Sequence, residues 1–229
     1  MLSPSEIKQH TGIHAATLVK EGMIVGLGTG STAAPFIKAL AERVKSGLAI
    51  TGVPTSVYSK KLAEELGIRL AVLNDVGSID LTIDGADEVD PQLQLIKGGG
   101  GALLQEKMVA AVSKQLIIVA DQTKLVPQLG KFPLPVEVIP YGWKHVQRTI
   151  ERTYNITVAL RMKDTKAFVT DQGHYILDCL FQQINDAPKL NEALHNIPGV
   201  VETGLFLHMA HSVLVGHPDG RVVIVRRES

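Results

Sequence analysis

The sequence predicts an α/β fold: a mostly parallel sheet with helices on both faces, plus a smaller α+β domain. Three observations carry this. Short, nearly continuous apolar runs alternate with amphipathic segments through the first part of the chain, the pattern of strands buried on both faces. Several of those runs end in glycine or acidic residues, as strand ends do where they border a binding crevice. "KFPLPVEVIP", residues 131 to 140, then changes the texture, and alternating strand-like segments follow it.

The elements follow in order. Ser3, Pro4 and Glu6 form a helix start, with Ser3 as cap, Pro4 in the first helical position and Glu6 three residues after the cap. Apolar spacing carries that helix to about residue 20, and Gly22 breaks it. MIVGL is a short strand, GTGST a glycine loop, and AAPFIKALAERVKSG a helix. LAITGV is a strand, SKKLAEELG a helix and RLAVL a strand. SIDLTIDGAD is a strand ending in acids. ALLQEKMVAAVSK is a helix whose Leu103, Leu104, Met108, Ala111 and Val112 can face a sheet. LIIVADQTK is a strand ending at Asp121. The prolines of residues 131 to 140 predict an extended connector or an edge strand, because proline cannot sustain a central ladder. GWKHVQRTIERTYN and APKLNEALHNIPG predict helices. NITVALRM, AFVTDQG, HYILDCLF and VVETGLF predict strands, and HSVLVGHPDGRVVIVRRE a hairpin turning at PDG.

Composition narrows the function. Lys plus Arg equals Asp plus Glu at 23 each, so no net positive field recruits nucleic acid or an anionic membrane. One cysteine, Cys179, rules out an intrachain disulfide and a cysteine metal cluster, and predicts a small core hydrophobe. No run approaches the length of a bilayer span, and the first residues lack a signal peptide's apolar segment. Cytoplasm is the expected compartment, and a plastid or mitochondrial precursor with its targeting peptide removed would look the same. His145, His174, His195, His208, His211 and His217 show no helical metal-ligand spacing; His208 and His211, three apart, are too little for a metal site.

Two stretches carry chemistry. GLGTGST, between strand and helix, can hold an anion on its backbone N–H groups, with Ser31 and Thr32 as further donors. The alternative is a tight turn with Thr29 or Ser31 capping the helix. A dinucleotide is disfavoured, because the second strand does not end in an Asp or Glu. The second stretch is "TIDGADEVDPQLQLIKGGGGALLQEK", residues 82 to 107. Asp84 and Asp87 can serve one pocket if DGAD turns, as acid and base, as metal ligands or as sugar hydrogen-bond partners. Capping and loop solvation are the alternative, and Glu88 and Asp90 extend the run toward solvent. Lys97 precedes four glycines, which suit close backbone approach, a lid or tight helix packing. Helical periodicity alone makes Glu106 a solvated surface residue.

The chain resembles type A ribose-5-phosphate isomerases over essentially its whole length. IVGLGTGSTAA at 24 to 34, IDGADEVD at 83 to 90, LIKGGGGALLQEK at 95 to 107 and VADQTKLVPQLGKFPLPVEVIP at 119 to 140 carry the likeness. FVTDQGHYILD at 168 to 178, IPGVVETGLF at 197 to 206 and LVGHPDG near the end extend it. The resemblance implies interconversion of D-ribose 5-phosphate and D-ribulose 5-phosphate in the pentose phosphate pathway, without metal or organic cofactor. It implies Glu106 as general base, with Asp84 and Asp87 lining the sugar site and Lys97 near the reacting oxygens. Thr29, Gly30, Ser31 and Thr32 correspond to the phosphate loop, Lys8 and Lys124 to basic residues at its edge. Gly98, Gly99, Gly100 and Gly101 correspond to backbone closing around the substrate. The implied fold is Rossmann-like, with a large domain at 1–131, a small α+β domain at 132–206 and a return to the large domain at 207–229. Homodimers or homotetramers are the implied assemblies. A coenzyme A transferase-like enzyme, a sugar-phosphate deaminase and a non-catalytic sugar-phosphate-binding protein are the rival readings. The GTGST, DGADE and KGGGG set favours the isomerase.

Overall fold

The computed structural model describes residues 1–226. The chain divides into two compact units: Met1–Ala86, Gln105–Leu125 and the chain from Met209 in the first, Asp87–Leu104 and Val126–His208 in the second. In the first unit, α1 (Pro4–Thr17), β1 (Ile24–Leu27), α2 (Ala33–Lys45), β2 (Thr51–Pro54), α3 (Val57–Glu65) and β3 (Leu81–Gly85) come in order. β4 (Glu88–Val89) and β5 (Leu95–Ile96) belong to the second unit. α4 (Leu103–Ala111) then leads into β6 (Leu116–Asp121) of the first. The second unit resumes with β7 (Leu134–Val138), α5 (Trp143–Tyr154), β8 (Val158–Leu160), β9 (Met162–Lys163), β10 (Lys166–Ala167) and β11 (Tyr175–Cys179). It ends with α6 (Ala187–His195), β12 (Val200–Thr203) and β13 (Leu205–Phe206). β14 (Ser212–Gly216) and β15 (Val222–Arg226) complete the first unit.

The first unit holds one six-stranded sheet in the order β15-β14-β6-β3-β1-β2, parallel except for β15. Its strands read as unbroken apolar runs because both faces are covered. Val25, Leu27, Ile83, Val119 and Leu214 from the strands pack with Phe36, Ile37 and Leu40 of α2, all buried. Each such side chain removed from water is worth about 1.5–3 kcal/mol. The capping box expected at Ser3 is present, with Ser3 and Glu6 bonded reciprocally. α1 ends at Thr17, short of residue 20, where the Leu18 amide bonds back to Ala15. RLAVL does not form a strand of its own. It meets β2 only at Gly52, whose amide donates to the Arg69 carbonyl and whose carbonyl accepts from the Ala71 amide, before a 3-10 turn at Leu73–Asp75 ends the run. The closing hairpin forms as expected, and β14 pairs in parallel with β6.

The second unit is built on an antiparallel sheet, β12-β7-β11-β8, backed by α5 and α6. Val136, Val138, Leu177, Val146, Ile150 and Leu194 form its core. Cys179 is buried there, as expected, and burial pushes its thiol pKa up. A smaller sheet, β13-β5-β4, brings Asp87–Leu104 into this unit, which therefore begins well before residue 132. β9 and β10 form a two-stranded ribbon.

β7 corrects the reading of the proline-rich stretch. It is an interior strand, paired with β11 on one side and β12 on the other. Pro135 is tolerated because β12 stops pairing at Thr203 opposite Val136. The Pro135 carbonyl faces that side and accepts from the Gly204 amide at 2.7 Å. The missing N–H points the same way, past the end of the β12 ladder, and costs no ladder bond. Glu88 corrects another expectation. It is buried rather than solvated, and its carboxylate accepts from the Gly130 amide at 2.7 Å and the Phe132 amide at 2.5 Å.

Glu137 is the buried acid of the β7 interior. Its Oε1 accepts from Thr170 Oγ1 at 2.9 Å and lies 2.9 Å from His174 Nδ1. Burial raises its pKa from 4.5, outweighing the lowering by the His174 and Thr170 hydrogen bonds. A raised folded pKa means the native state holds a proton longer than the unfolded chain. Stability contributed here is full below the ordinary carboxylate value and is lost as pH rises through the folded one. Denaturant titrations across acidic to neutral pH should therefore show Glu137→Gln gaining on the wild type as pH rises. Parallel pH profiles for the two proteins would contradict this.

Candidate active site

In the first unit, the loop from β1 to α2 meets the end of β3. A side chain at Gly28 would overlap Asp84 Oδ1 and the Ile83 carbonyl, so only glycine lets these two strand ends close. There the Thr29 amide donates to Asp84 Oδ1 at 3.0 Å, and the Gly85 amide donates to the same oxygen at 2.8 Å. Asp84 is only 1% exposed. Its carboxylate sits at a strand end, hydrogen-bonded to the loop proposed to hold an anion. Thr29 Oγ1 lies 2.7 Å from the hydroxyls of Thr55 and Ser56. Ser31 Oγ accepts from Lys8 Nζ at 2.9 Å. Thr32 occupies the N-cap position of α2 without a side-chain cap bond. The hydroxyls of Thr29 and Ser31 are thus tied elsewhere, and the capping alternative is not what the loop does. With Lys8 across Ser31 and the start of a 13-residue helix beside it, the loop is suited to an anion.

Glu106 stands in the first turn of α4 and is 5% exposed. The surface position that periodicity predicts for it is therefore wrong. Lys124 closes a 3-10 turn after β6, half-buried. No hydrogen bond or ion pair joins it to the other candidates among the described residues.

In the second unit, Asp87 and the glycine run come together. The Asp87 amide donates to the Ile96 carbonyl at 2.8 Å, and Asp87 Oδ2 accepts from the Gly99 amide at 2.7 Å. The Gly101 amide donates to the Gly98 carbonyl at 3.0 Å, closing a turn over residues 98 to 101. A Cβ on Gly99 would lie 2.6 Å from Asp87 Oδ1. One on Gly101 would overlap the Phe168 ring. The run is therefore a packed turn in this unit. Lys97, 2% exposed, enters it with its amide bonded to the Gly204 carbonyl at 2.9 Å and its Nζ 5.3 Å from the Phe206 ring centre.

Arg161 escaped the sequence reading. It donates to the carbonyls of Gly98 and Gly99 and pairs with Asp178. Its only signal was a lone arginine in a strand-like run, and the glycine carbonyls it holds are more than 60 positions away. The histidines find other work. His211 Nδ1 accepts from the Leu116 amide at 3.1 Å, which fixes the ring against β6. His10 and His14 stand four residues apart on α1 and line one shallow cavity with Gly220 and Val222. No group of three or more His, Cys, Asp or Glu among the described residues is arranged to hold a metal.

Against this geometry, three comparisons agree. Residues 51–220 match the model of the family described as ribose 5-phosphate isomerase A (phosphoriboisomerase A). Ribose-5-phosphate isomerase A of Listeria monocytogenes serotype 4b (strain CLIP80459) is 50% identical over 220 residues, 96% of this chain and 98% of that protein. The solved structure of ribose 5-phosphate isomerase A from Methanocaldococcus jannaschii superposes with a TM-score of 0.92 at 41% identity, over 98% of this chain and all of that one. A D-ribose-5-phosphate isomerase solved in complex with phospho-erythronic acid superposes at 0.95, also 41% identical, over 99% of this chain and 100% of that one. Likeness that spans both units from end to end, in sequence and in fold, settles the family: this chain belongs to the ribose 5-phosphate isomerase A family.

Proposed function

We propose that the chain interconverts D-ribose 5-phosphate and D-ribulose 5-phosphate in the pentose phosphate pathway, by proton transfer through a cis-enediolate. Membership of the family along almost the whole chain is the observation that carries the reaction. Glu106 is the general base: it takes the proton from C2 and returns it to C1 from the same side. Negative charge develops on the carbonyl oxygen as C2 is deprotonated. The buried Lys97 and the glycine-run amides stabilise it. Asp84 and Asp87 handle ring opening and proton movement among the sugar hydroxyls. Thr29, Gly30, Ser31 and Thr32 take the phosphate, with Lys8 and Lys124 at its edge, holding the open chain in register. The relative's phospho-erythronic acid supports this division. By its name it is a phosphorylated sugar acid, which asks a site for both a phosphate and sugar oxygens. No cofactor or metal takes part, and the working form is a homodimer or homotetramer in the cytoplasm. No helix among the described residues is long and apolar enough to cross a membrane.

Purified protein supplied with ribose 5-phosphate should form ribulose 5-phosphate with EDTA present and no nucleotide. An absolute need for added metal, or no turnover by folded protein, would remove the proposal. The phosphate loop is tested separately by changing Ser31 and Thr32 to alanine. Calorimetry should then show weaker binding of both ribose 5-phosphate and inorganic phosphate. Unchanged affinities for both would place the phosphate elsewhere.

A further inference from the structure

We infer that Arg161 and Asp178 are a positioning pair that aims the Gly100 amide at the reacting oxygens; the inference rests on the isomerase reading above. Asp178 lies in β11 and Arg161 directly follows β8, its ladder neighbour. Arg161 Nε and Nη2 donate to the two Asp178 oxygens at 3.0 and 2.5 Å. This two-point contact fixes the plane of the guanidinium. The remaining amino group, Nη1, donates to the Gly98 carbonyl at 2.6 Å and the Gly99 carbonyl at 3.2 Å. Both side chains are largely withdrawn from water, at 14% and 22% exposure.

The consequence follows from peptide planarity. In a trans peptide the C=O and the next N–H point in opposite directions, and the chain has no cis bonds. Holding the Gly98 and Gly99 carbonyls on the guanidinium therefore turns the Gly99 and Gly100 amides away from it. The Gly99 amide reaches Asp87 Oδ2. The Gly100 amide meets no hydrogen-bond acceptor among the described residues. Glycine peptides rotate too freely to hold an unpaired donor in one direction unaided. With its carbonyl neighbours clamped, the Gly100 N–H is a fixed donor for an oxygen that gains charge in the transition state. Four of the five guanidinium N–H groups are spent on Asp178 and the turn, so Arg161 acts through the turn.

Two variants test this. Arg161→Lys keeps the charge but loses the planar fork, and a double Arg161→Met, Asp178→Asn variant removes both charges without leaving one buried alone. In both, kcat for ribose 5-phosphate should fall on the order of 10²-fold, as misplacement of reacting groups does. Inhibition by inorganic phosphate should stay at its wild-type value, and amide hydrogen exchange across residues 98 to 101 should speed up. Folded variants with wild-type kcat and exchange would overturn the inference. So would kcat, KM, phosphate inhibition and melting temperature all shifting together, the mark of a purely structural pair. If Arg161→Lys does not fold, the double variant decides, and loss of fold in both overturns the inference. A wild type that never turns over ribose 5-phosphate defeats the isomerase reading instead, while the exchange comparison still reports on the clamp.

Discussion

Glu106→Gln should cut turnover of ribose 5-phosphate by at least about 10²-fold, the range of a positioned acid–base group, with substrate still bound. The replacement has nearly the same size and sits in the buried first turn of α4, so packing is retained. What it loses is the carboxylate that accepts the C2 proton. NMR of ribose 5-phosphate recovered from D₂O reads that step directly. Deuterium should enter C2 with the wild type and almost cease to enter with the variant, because abstraction precedes every productive outcome. Exchange persisting at the wild-type rate would move the base to Asp84 or Asp87.

Gly101→Ala should destabilise the chain by about 2–4 kcal/mol, the combined scale of a strained backbone and an overpacked contact. Gly101 has φ +83°, where an L side chain is strained, and the new Cβ would overlap Phe168 Cζ and lie 2.5 Å from Cε1. The two causes separate in a double-mutant cycle with Phe168→Ala. Removing the ring should return the overpacking share in the Gly101→Ala background and leave the backbone share. Urea titration measures all four proteins. A single variant as stable as the wild type would show that the turn adapts and that its packing constrains little. Activity should fall with stability, since the same turn sets the Gly99 and Gly100 amides.

Much of the architecture is written in local pattern. Apolar runs of four to six residues bounded by glycine and acids became β1, β3 and β6, and the spacing of Phe36, Ile37 and Leu40 became the buried face of α2. The Ser3 capping box, the helices at α5 and α6 and the closing hairpin were equally plain. These features depend on neighbours within a few positions, which is the range over which periodicity and turn chemistry act. The site residues were legible chiefly through whole motifs. GTGST, DGAD and KGGGG mark strand ends and tight turns by composition, whereas Glu106 taken singly looked like any solvated helix glutamate.

Tertiary structure decided the rest, because partners far apart in sequence leave no local trace. Glu106 and Glu88 are buried by packing that helical spacing and charge density do not encode. Pro135 stands in an interior strand only because β12 ends one residue too soon to need its N–H, a fact of register rather than propensity. Asp84 is locked to the Thr29 amide 55 positions earlier, and Arg161 to the Gly98 carbonyl 63 positions earlier. The sequence alone determined most of the strands, helices and turns, and through its motifs the family, but not RLAVL, the proline-rich stretch or AFVTDQG, which is strand only at its first residue. Which buried charge meets which backbone group was settled only when the chain closed on itself, since a buried polar atom takes whatever partner the packing brings within hydrogen-bond reach.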